Sequence, residues 1–169
     1  SLTFGRDGRV YVSTDLDAPR GRLAVTWPPD WEASEWTDLI PEDPEAVLES
    51  VTVLDGDELE EELLLVVRTS HGVARMSLHH GHDGTFIKDV ELPGAGTIGG
   101  PVEHIDGGPV TWFVYTDHTT VPTIYTYDAR TDEVELYATP PGVVDVPTVH
   151  SQQVEYTSPD GTVVRMFVI

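Results

Sequence analysis

Apolar, β-branched and aromatic residues fall along this chain in short runs, each broken by glycine, proline or aspartate. The pattern predicts strands at about 9–14, 22–27, 36–40, 48–54, 61–68, 72–78, 85–91, 97–99, 110–116, 122–127, 133–138, 152–157 and 162–168. Turn chemistry fills the gaps: Asp7-Gly8, Pro28-Pro29-Asp30, Asp55-Gly56, Asp83-Gly84, Gly107-Gly108, Pro141-Gly142 and Asp160-Gly161. One segment departs from this pattern. Asp43-Pro44-Glu45-Ala46-Val47 pairs a capping side chain with proline at the first helical position and predicts about one helical turn.

A succession of short strands without intervening helices predicts an all-β fold: a sandwich, a barrel or a propeller. A repeat favours the propeller. Val51-Thr52-Val53 and Thr97-Ile98-Gly99 each open a group of four strands and lie 46 residues apart, and another equal step back reaches Gly5. Propeller blades repeat at about 40–50 residues. The blades then occupy about 1–40, 47–92 and 96–139. Segments such as Leu63-Leu64-Leu65-Val66-Val67 and Trp112-Phe113-Val114-Tyr115 are apolar at successive positions, as expected of sheets packed on both faces. Three blades do not close a ring, so the outer faces are expected to be apolar and in need of cover.

Composition narrows the functional classes. The 169 residues carry 30 acidic against 9 basic side chains, a net charge of -21, and Lys88 is the sole lysine. Such a surface repels phosphate backbones and anionic lipids, so neither nucleic acid nor membrane is expected as a partner. Adaptation to high salt and a coding bias toward arginine and aspartate both account for the charge. No apolar run has the length of a bilayer-crossing helix, and there is no signal-peptide pattern. Cysteine and asparagine are absent, which excludes disulfides, thiolate metal sites and N-glycosylation. A cytoplasmic location is the expectation. The chain opens on Ser1 and closes on the strand-like Met166-Phe167-Val168-Ile169, as a piece of a longer protein would.

The candidate chemistry is sparse. The Gly-x-Ser-x-Gly nucleophile elbow is absent, and Ser158 precedes proline in a turn. Gly94-Ala95-Gly96-Thr97-Ile98-Gly99 fits a dinucleotide fingerprint by letter, but Pro101 and a strand follow where a helix is required. His79-His80-Gly81-His82-Asp83 offers donors for zinc or nickel; read as a solvated hairpin tip, it would lack the outer hydrogen bonds that orient ligands. Asp55-Gly56-Asp57-Glu58 and Glu60-Glu61-Glu62 are rich in carboxylates but lack calcium-loop spacing. His71, His104, His118 and His150 are scattered. Trp27, Trp31, Trp36 and Trp112 are expected in the core and between blades rather than as a ligand platform. No catalytic, cofactor-binding or metal residue is therefore assigned, and no cofactor is expected.

Five segments carry a family resemblance. Asp17-Ala18-Pro19-Arg20-Gly21-Arg22-Leu23 resembles a propeller hairpin of the prolyl oligopeptidase family, and Trp36-Thr37-Asp38-Leu39-Ile40-Pro41-Glu42 the outer strand after it. Glu91-Leu92-Pro93-Gly94-Ala95-Gly96-Thr97-Ile98-Gly99-Gly100 is similar to the family's blade-to-blade crossing. Thr120-Val121-Pro122-Thr123-Ile124-Tyr125-Thr126-Tyr127-Asp128 resembles its proline-containing hairpin, and the stretch from Gln153 to Ile169 the hairpin that leaves the propeller for the α/β-hydrolase domain. Departures include Pro159 and Arg165 in that last hairpin, the acidic Glu60-Glu61-Glu62, and Thr116-Asp117-His118-Thr119 where aromatic residues are usual.

The resemblance implies a partial propeller over 1–145, about three four-stranded antiparallel sheets of a seven-bladed ring. A hairpin over 146–169 would lead into a hydrolase domain. The parent would be a serine peptidase acting on short, proline-containing peptides, its propeller gating the active site. The triad lies beyond the matched region in this family, so no catalytic residue carries over. The expected partners are the remaining blades, the hydrolase domain and, through exposed blade faces, further copies of the chain. The alternative is a non-enzymatic interaction module built from propeller blades, with a small metal- or ligand-binding β protein as a third reading.

Overall fold

The computed structural model describes residues 1–142 and 149–169, so the expected boundary between 145 and 146 lies outside the described residues. Its strands are β1 (Leu2–Phe4), β2 (Val10–Thr14), β3 (Arg22–Thr26), β4 (Thr37–Ile40), β5 (Val47–Leu54), β6 (Leu63–Ser70), β7 (Val73–His80), β8 (Phe86–Val90), β9 (Thr97–Glu103), β10 (Val110–Thr116), β11 (Thr123–Asp128), β12 (Glu133–Ala138), β13 (Gln152–Thr157) and β14 (Val163–Val168). They form three antiparallel four-stranded sheets in simple sequential order, β1 to β4, β5 to β8 and β9 to β12, followed by the separate hairpin β13–β14. Turn geometry sustains this meander. His71 and Gly72, both at positive φ (53° and 78°), form the two-residue connection between the paired Ser70 and Val73. Positive φ at both central positions is the twist that suits adjoining strands.

The sequence pattern misses β1 because three exposed residues, Leu2 to Phe4, show no usable alternation. It also stops the ninth strand at Gly99, whereas β9 continues through Gly100 and Pro101 to Glu103. Proline is tolerated there because β9 is an edge strand, pairing only with β10, and a bulge between Trp112 and Val114 takes up the irregularity. No helix forms at 43–47. Asp43 does cap, its Oδ1 accepting the Glu45 and Ala46 amides at 2.8 and 3.0 Å, but Val47 enters β5 and the sheet takes the following backbone. The only helical turn among the described residues is the 3-10 turn Ala33–Glu35. No helix among them is long and apolar enough to cross a membrane.

The middle sheet explains the apolar runs. Along β6, side chains alternate between two interfaces. Leu64 and Val66 pack with Tyr11, Leu23, Leu39 and Ile40 of the first sheet. Leu63, Leu65 and Val67 pack with Phe113, Tyr115 and Tyr127 of the third, together with Met76, Leu78 and Val90. All five β6 residues are buried, and each such side chain contributes about 2 kcal/mol by removal from water. The third sheet is packed on one side only. Phe113 and Tyr115 are buried, while Val102, Val114 and Ile124 remain exposed. This open face of the last sheet is the uncovered apolar face expected of three blades that do not close a ring. The tryptophans divide similarly. Trp36 packs against Val10, Val12 and Ala24, whereas Trp27 and Trp31, placed in the connection after β3 rather than in a strand, are exposed.

Between β10 and β11, Asp117 organises the turn. Its carboxylate accepts the Tyr115 hydroxyl at 2.7 Å, the Thr119 amide and hydroxyl at 2.7 and 2.9 Å, and the Thr120 amide at 2.6 Å. Partial burial pushes the Asp117 pKa up, but these hydrogen bonds outweigh it and bring the value down to about 2. A carboxylate depressed on folding stabilises the native state above its unfolded pKa of 3.8, and that contribution is lost as pH falls toward 2. The Asp117→Asn variant is expected to have a lower urea midpoint than the parent at pH 5. The gap should close by pH 2; a gap independent of pH would refute this account.

Candidate functional site

Three elements define what this molecule can do: a cavity between the sheets, the polar contacts that lock the first two sheets together, and a histidine-bearing turn. The first strands of the three sheets lie beside a common cavity of about 240 Å³, lined by Thr3 of β1, Val51, Thr52 and Val53 of β5, and Pro101, Val102 and Glu103 of β9. Tyr11, Ser13 and Leu23 complete its wall. The Thr52 hydroxyl donates to the Pro101 carbonyl at 3.0 Å, tying the innermost strands of the second and third sheets. The sheets thus converge by their first strands on one axis, the arrangement of propeller blades.

The first and second sheets are locked by Arg9. Its guanidinium pairs with Asp7 and Glu62 and donates to the Gly81 carbonyl at 2.8 Å, while the Tyr11 hydroxyl donates to the same Glu62 carboxylate. Burial, joined by the bond to Glu62 and its charge, raises the Tyr11 pKa well above its ordinary value. Burial also raises the Glu62 pKa, against the Tyr11 hydrogen bond and the Arg9 charge. This is an inter-blade fastener. It contains no nucleophile.

Asp55 and Glu58 of this region do not converge on a cation cage. Asp55 meets Arg6 at 3.6 Å and Glu58 pairs with Arg130. The glycine-rich segment 94–99 is a blade crossing. The Ala74 amide donates to the Gly96 carbonyl at 2.8 Å, and a Cβ on Gly96 would lie 2.8 Å from the Tyr115 ring, so the chain passes where only glycine fits. Ser158 closes the β13–β14 turn: its amide donates to the Thr162 carbonyl at 2.9 Å and its hydroxyl bonds Asp160.

The histidines have separate settings. His71 sits in a hairpin turn with Nδ1 3.0 Å from the Ser70 hydroxyl. His104 tilts over Trp112, His118 lies 4.7 Å from the Phe167 ring, and His150 is exposed. His79 is buried. Its Nδ1 is 2.9 Å from the Gly84 carbonyl, which can only accept, so Nδ1 carries the proton and Nε2 accepts from the Ser77 hydroxyl at 2.9 Å. Burial lowers its pKa and keeps the imidazole neutral. A serine–histidine contact enclosed in this way has no route to a substrate carbonyl.

His80 and His82 differ from the rest. Both approach the Glu61 carboxylate, and the turn that carries them is hydrogen-bonded, while His82 and Glu61 stay exposed as a solvated tip implies. No periodicity announces this cluster, because Glu61 precedes β6, His80 ends β7 and His82 follows it. Only the hairpin register Leu63↔His80 brings them side by side.

The family model described as "Prolyl oligopeptidase, N-terminal beta-propeller domain" matches residues 4–140. Curated relatives include the prolyl endopeptidases of Elizabethkingia meningoseptica, 28% identical, and Elizabethkingia miricola, 26% identical. Each match spans 163 residues and covers 94% of this chain but 21% of the relative. A solved structure from a study of two prolyl endopeptidases superposes with a TM-score of 0.77 at 30% identity, covering 99% of this chain and 23% of that one. The apo prolyl oligopeptidase B of Galerina marginata shares the fold, with a TM-score of 0.77 at 22% identity and the same coverage. The chain therefore spans about a fifth of the length of the relatives it matches. With its four-stranded sheets gathered by their first strands around one cavity and the family model matched over 4–140, the chain belongs to the N-terminal β-propeller domain family of the prolyl oligopeptidases.

Proposed function

We propose that these blades are part of the propeller that gates a serine peptidase acting on short, proline-containing peptides, and that they supply no group to bond cleavage. The observation that carries this reading is the convergence of β1, β5 and β9 on a cavity of about 240 Å³ in a chain matching about a fifth of a prolyl endopeptidase. In the whole propeller, an axial opening ringed by such first strands would admit extended peptides and reject folded proteins, because widening it requires separating packed sheets. The exposed apolar positions Val102, Val114 and Ile124 on the third sheet would be covered by a further blade in the whole protein. In the isolated chain a second copy would cover them. The same reading carries a cytoplasmic location.

The test is a chimera in which residues 4–140 replace the matching segment of the Elizabethkingia meningoseptica prolyl endopeptidase. It is expected to hydrolyse a short fluorogenic proline peptide and leave a folded protein uncut. The 169-residue chain alone should take no label from a fluorophosphonate and should sediment as more than a monomer at high concentration. Labelling of the chain would overturn the non-catalytic assignment. A folded chimera that cuts intact proteins as readily as peptides would overturn the gating role, and a monomer at every concentration would overturn self-association.

A further inference from the structure

We propose that Glu61, His80 and His82 form a binding site for a divalent transition-metal ion of the zinc, cobalt or nickel type. The three side chains each present one donor atom, all within 4.8 Å of one another. His80 Nδ1 lies 2.9 Å from Glu61 Oε1, and His82 Nδ1 lies 3.6 Å from Glu61 Oε2. A tetrahedral ion with bonds of about 2.0–2.1 Å holds its ligands about 3.3 Å apart, and these donors, at most 4.8 Å apart, lie near that spacing. Small rotations about the side-chain bonds close the set around an ion.

The backbone holds these donors in place. Glu61 stands two residues before β6, and His80 is the last residue of β7, paired with Leu63. The Gly81 amide donates to the Glu62 carbonyl at 2.8 Å, the His80 amide to the Thr85 carbonyl at 2.9 Å, and the Gly84 amide to the His80 carbonyl at 2.9 Å. Arg9 fastens both Glu62 and the Gly81 carbonyl to the first sheet. The flanks of the site are thus anchored on both chain segments.

Asp83, itself hydrogen-bonded to Thr85, lies beside the outer ring nitrogen of His82. His82 Nε2 lies 3.1 Å from Asp83 Oδ2, while Asp83 Oδ1 accepts the Thr85 amide at 2.9 Å and the Thr85 hydroxyl at 2.7 Å. A carboxylate this close to the far ring nitrogen favours the proton there and the lone pair on Nδ1, which faces Glu61. Asp83 is therefore a positioning residue. The charge balance suits a cation. Glu61 has no lysine or arginine partner among the described residues, and the chain carries a net charge of -21. Two imidazoles with one carboxylate favour borderline metals over calcium or magnesium, which take oxygen ligands. A bound ion would clip the loop before β6 to the turn after β7, with water completing its coordination.

The test is zinc titration of the full chain by calorimetry in a non-coordinating buffer at moderate salt. One ion per chain with micromolar affinity is expected, and saturating zinc should raise the thermal midpoint by at least about 2 °C. His82→Ala and Glu61→Gln, both at exposed positions, should abolish that event while retaining the parent's circular dichroism spectrum. Asp83→Asn should weaken binding about 10- to 100-fold. His104→Ala should leave it unchanged. No binding at 100-fold excess zinc, or binding that survives His82→Ala and Glu61→Gln, would overturn the proposal.

Discussion

Gly84→Ala is expected to cost about 3 kcal/mol in urea unfolding, because it combines a left-handed backbone with a blocked position. Gly84 has φ +72°, and a Cβ there would lie 2.7 Å from the Leu39 carbonyl carbon, closer still to its oxygen, and 3.2 Å from Ile40 Cδ1. These are β4 atoms of the first sheet, so the new methyl group would push on the packed interface between the first two sheets. The Gly84 carbonyl also accepts from buried His79, which leaves the turn little freedom to move away. Gly161→Ala is the control. Its φ is +87° with nothing within 4 Å, so only the backbone penalty applies, about 1 kcal/mol. Equal losses for the two variants would show that the close approach to Leu39 carries no energetic weight.

Removing Glu62 comes next in size. Glu62→Ala would leave the Arg9 guanidinium with Asp7 and the Gly81 carbonyl but without its inter-sheet carboxylate, and the Tyr11 hydroxyl without an acceptor. Side-chain exposures of 12% for Arg9 and 17% for Glu62 place the pair in the range where removing one partner of a largely buried ion pair is costly, about 3 kcal/mol. The exposed Glu58–Arg130 pair makes the comparison: Glu58→Ala should cost no more than about 0.5 kcal/mol. If Glu62 acts mainly by satisfying Arg9, the double variant Arg9→Ala with Glu62→Ala should lose less than the sum of the single losses. Additive losses would mean the two side chains act independently, and the fastener would then be a set of separate contacts.

These two positions also mark where sequence reasoning reached its limit. The turn at Asp83-Gly84 is legible from residue types, since glycine supplies positive φ cheaply. That Gly84 abuts Leu39 is not legible, because the contact joins residues of different sheets. Glu62 stood in an acidic run with no spacing to separate it from Glu60 or Glu61. In the fold, Glu62 turns to Arg9 and Tyr11, whereas Glu61 turns to His80 and His82. Glu61 lies in a bend and Glu62 directly before β6, so neighbours of the same type acquire unrelated roles.

Local order was accessible from the residues alone. Short apolar runs bounded by glycine, proline and aspartate specify strands and turns, because backbone preference and alternation act over a few residues. The 46-residue repeat pointed to four-stranded units, and the stepwise meander followed. Elements whose signal was weak or overridden escaped: β1 is too short, β9 crosses a Gly-Gly-Pro segment that only an edge strand tolerates, and the cap at Asp43 was overruled by the sheet that begins at Val47. Tertiary structure alone decided which face of each sheet is buried, which carboxylate meets which cation, and that Glu61 lies beside two histidines. Those outcomes depend on hairpin register and on the approach of one sheet to the next, distances set by chain segments far apart in sequence.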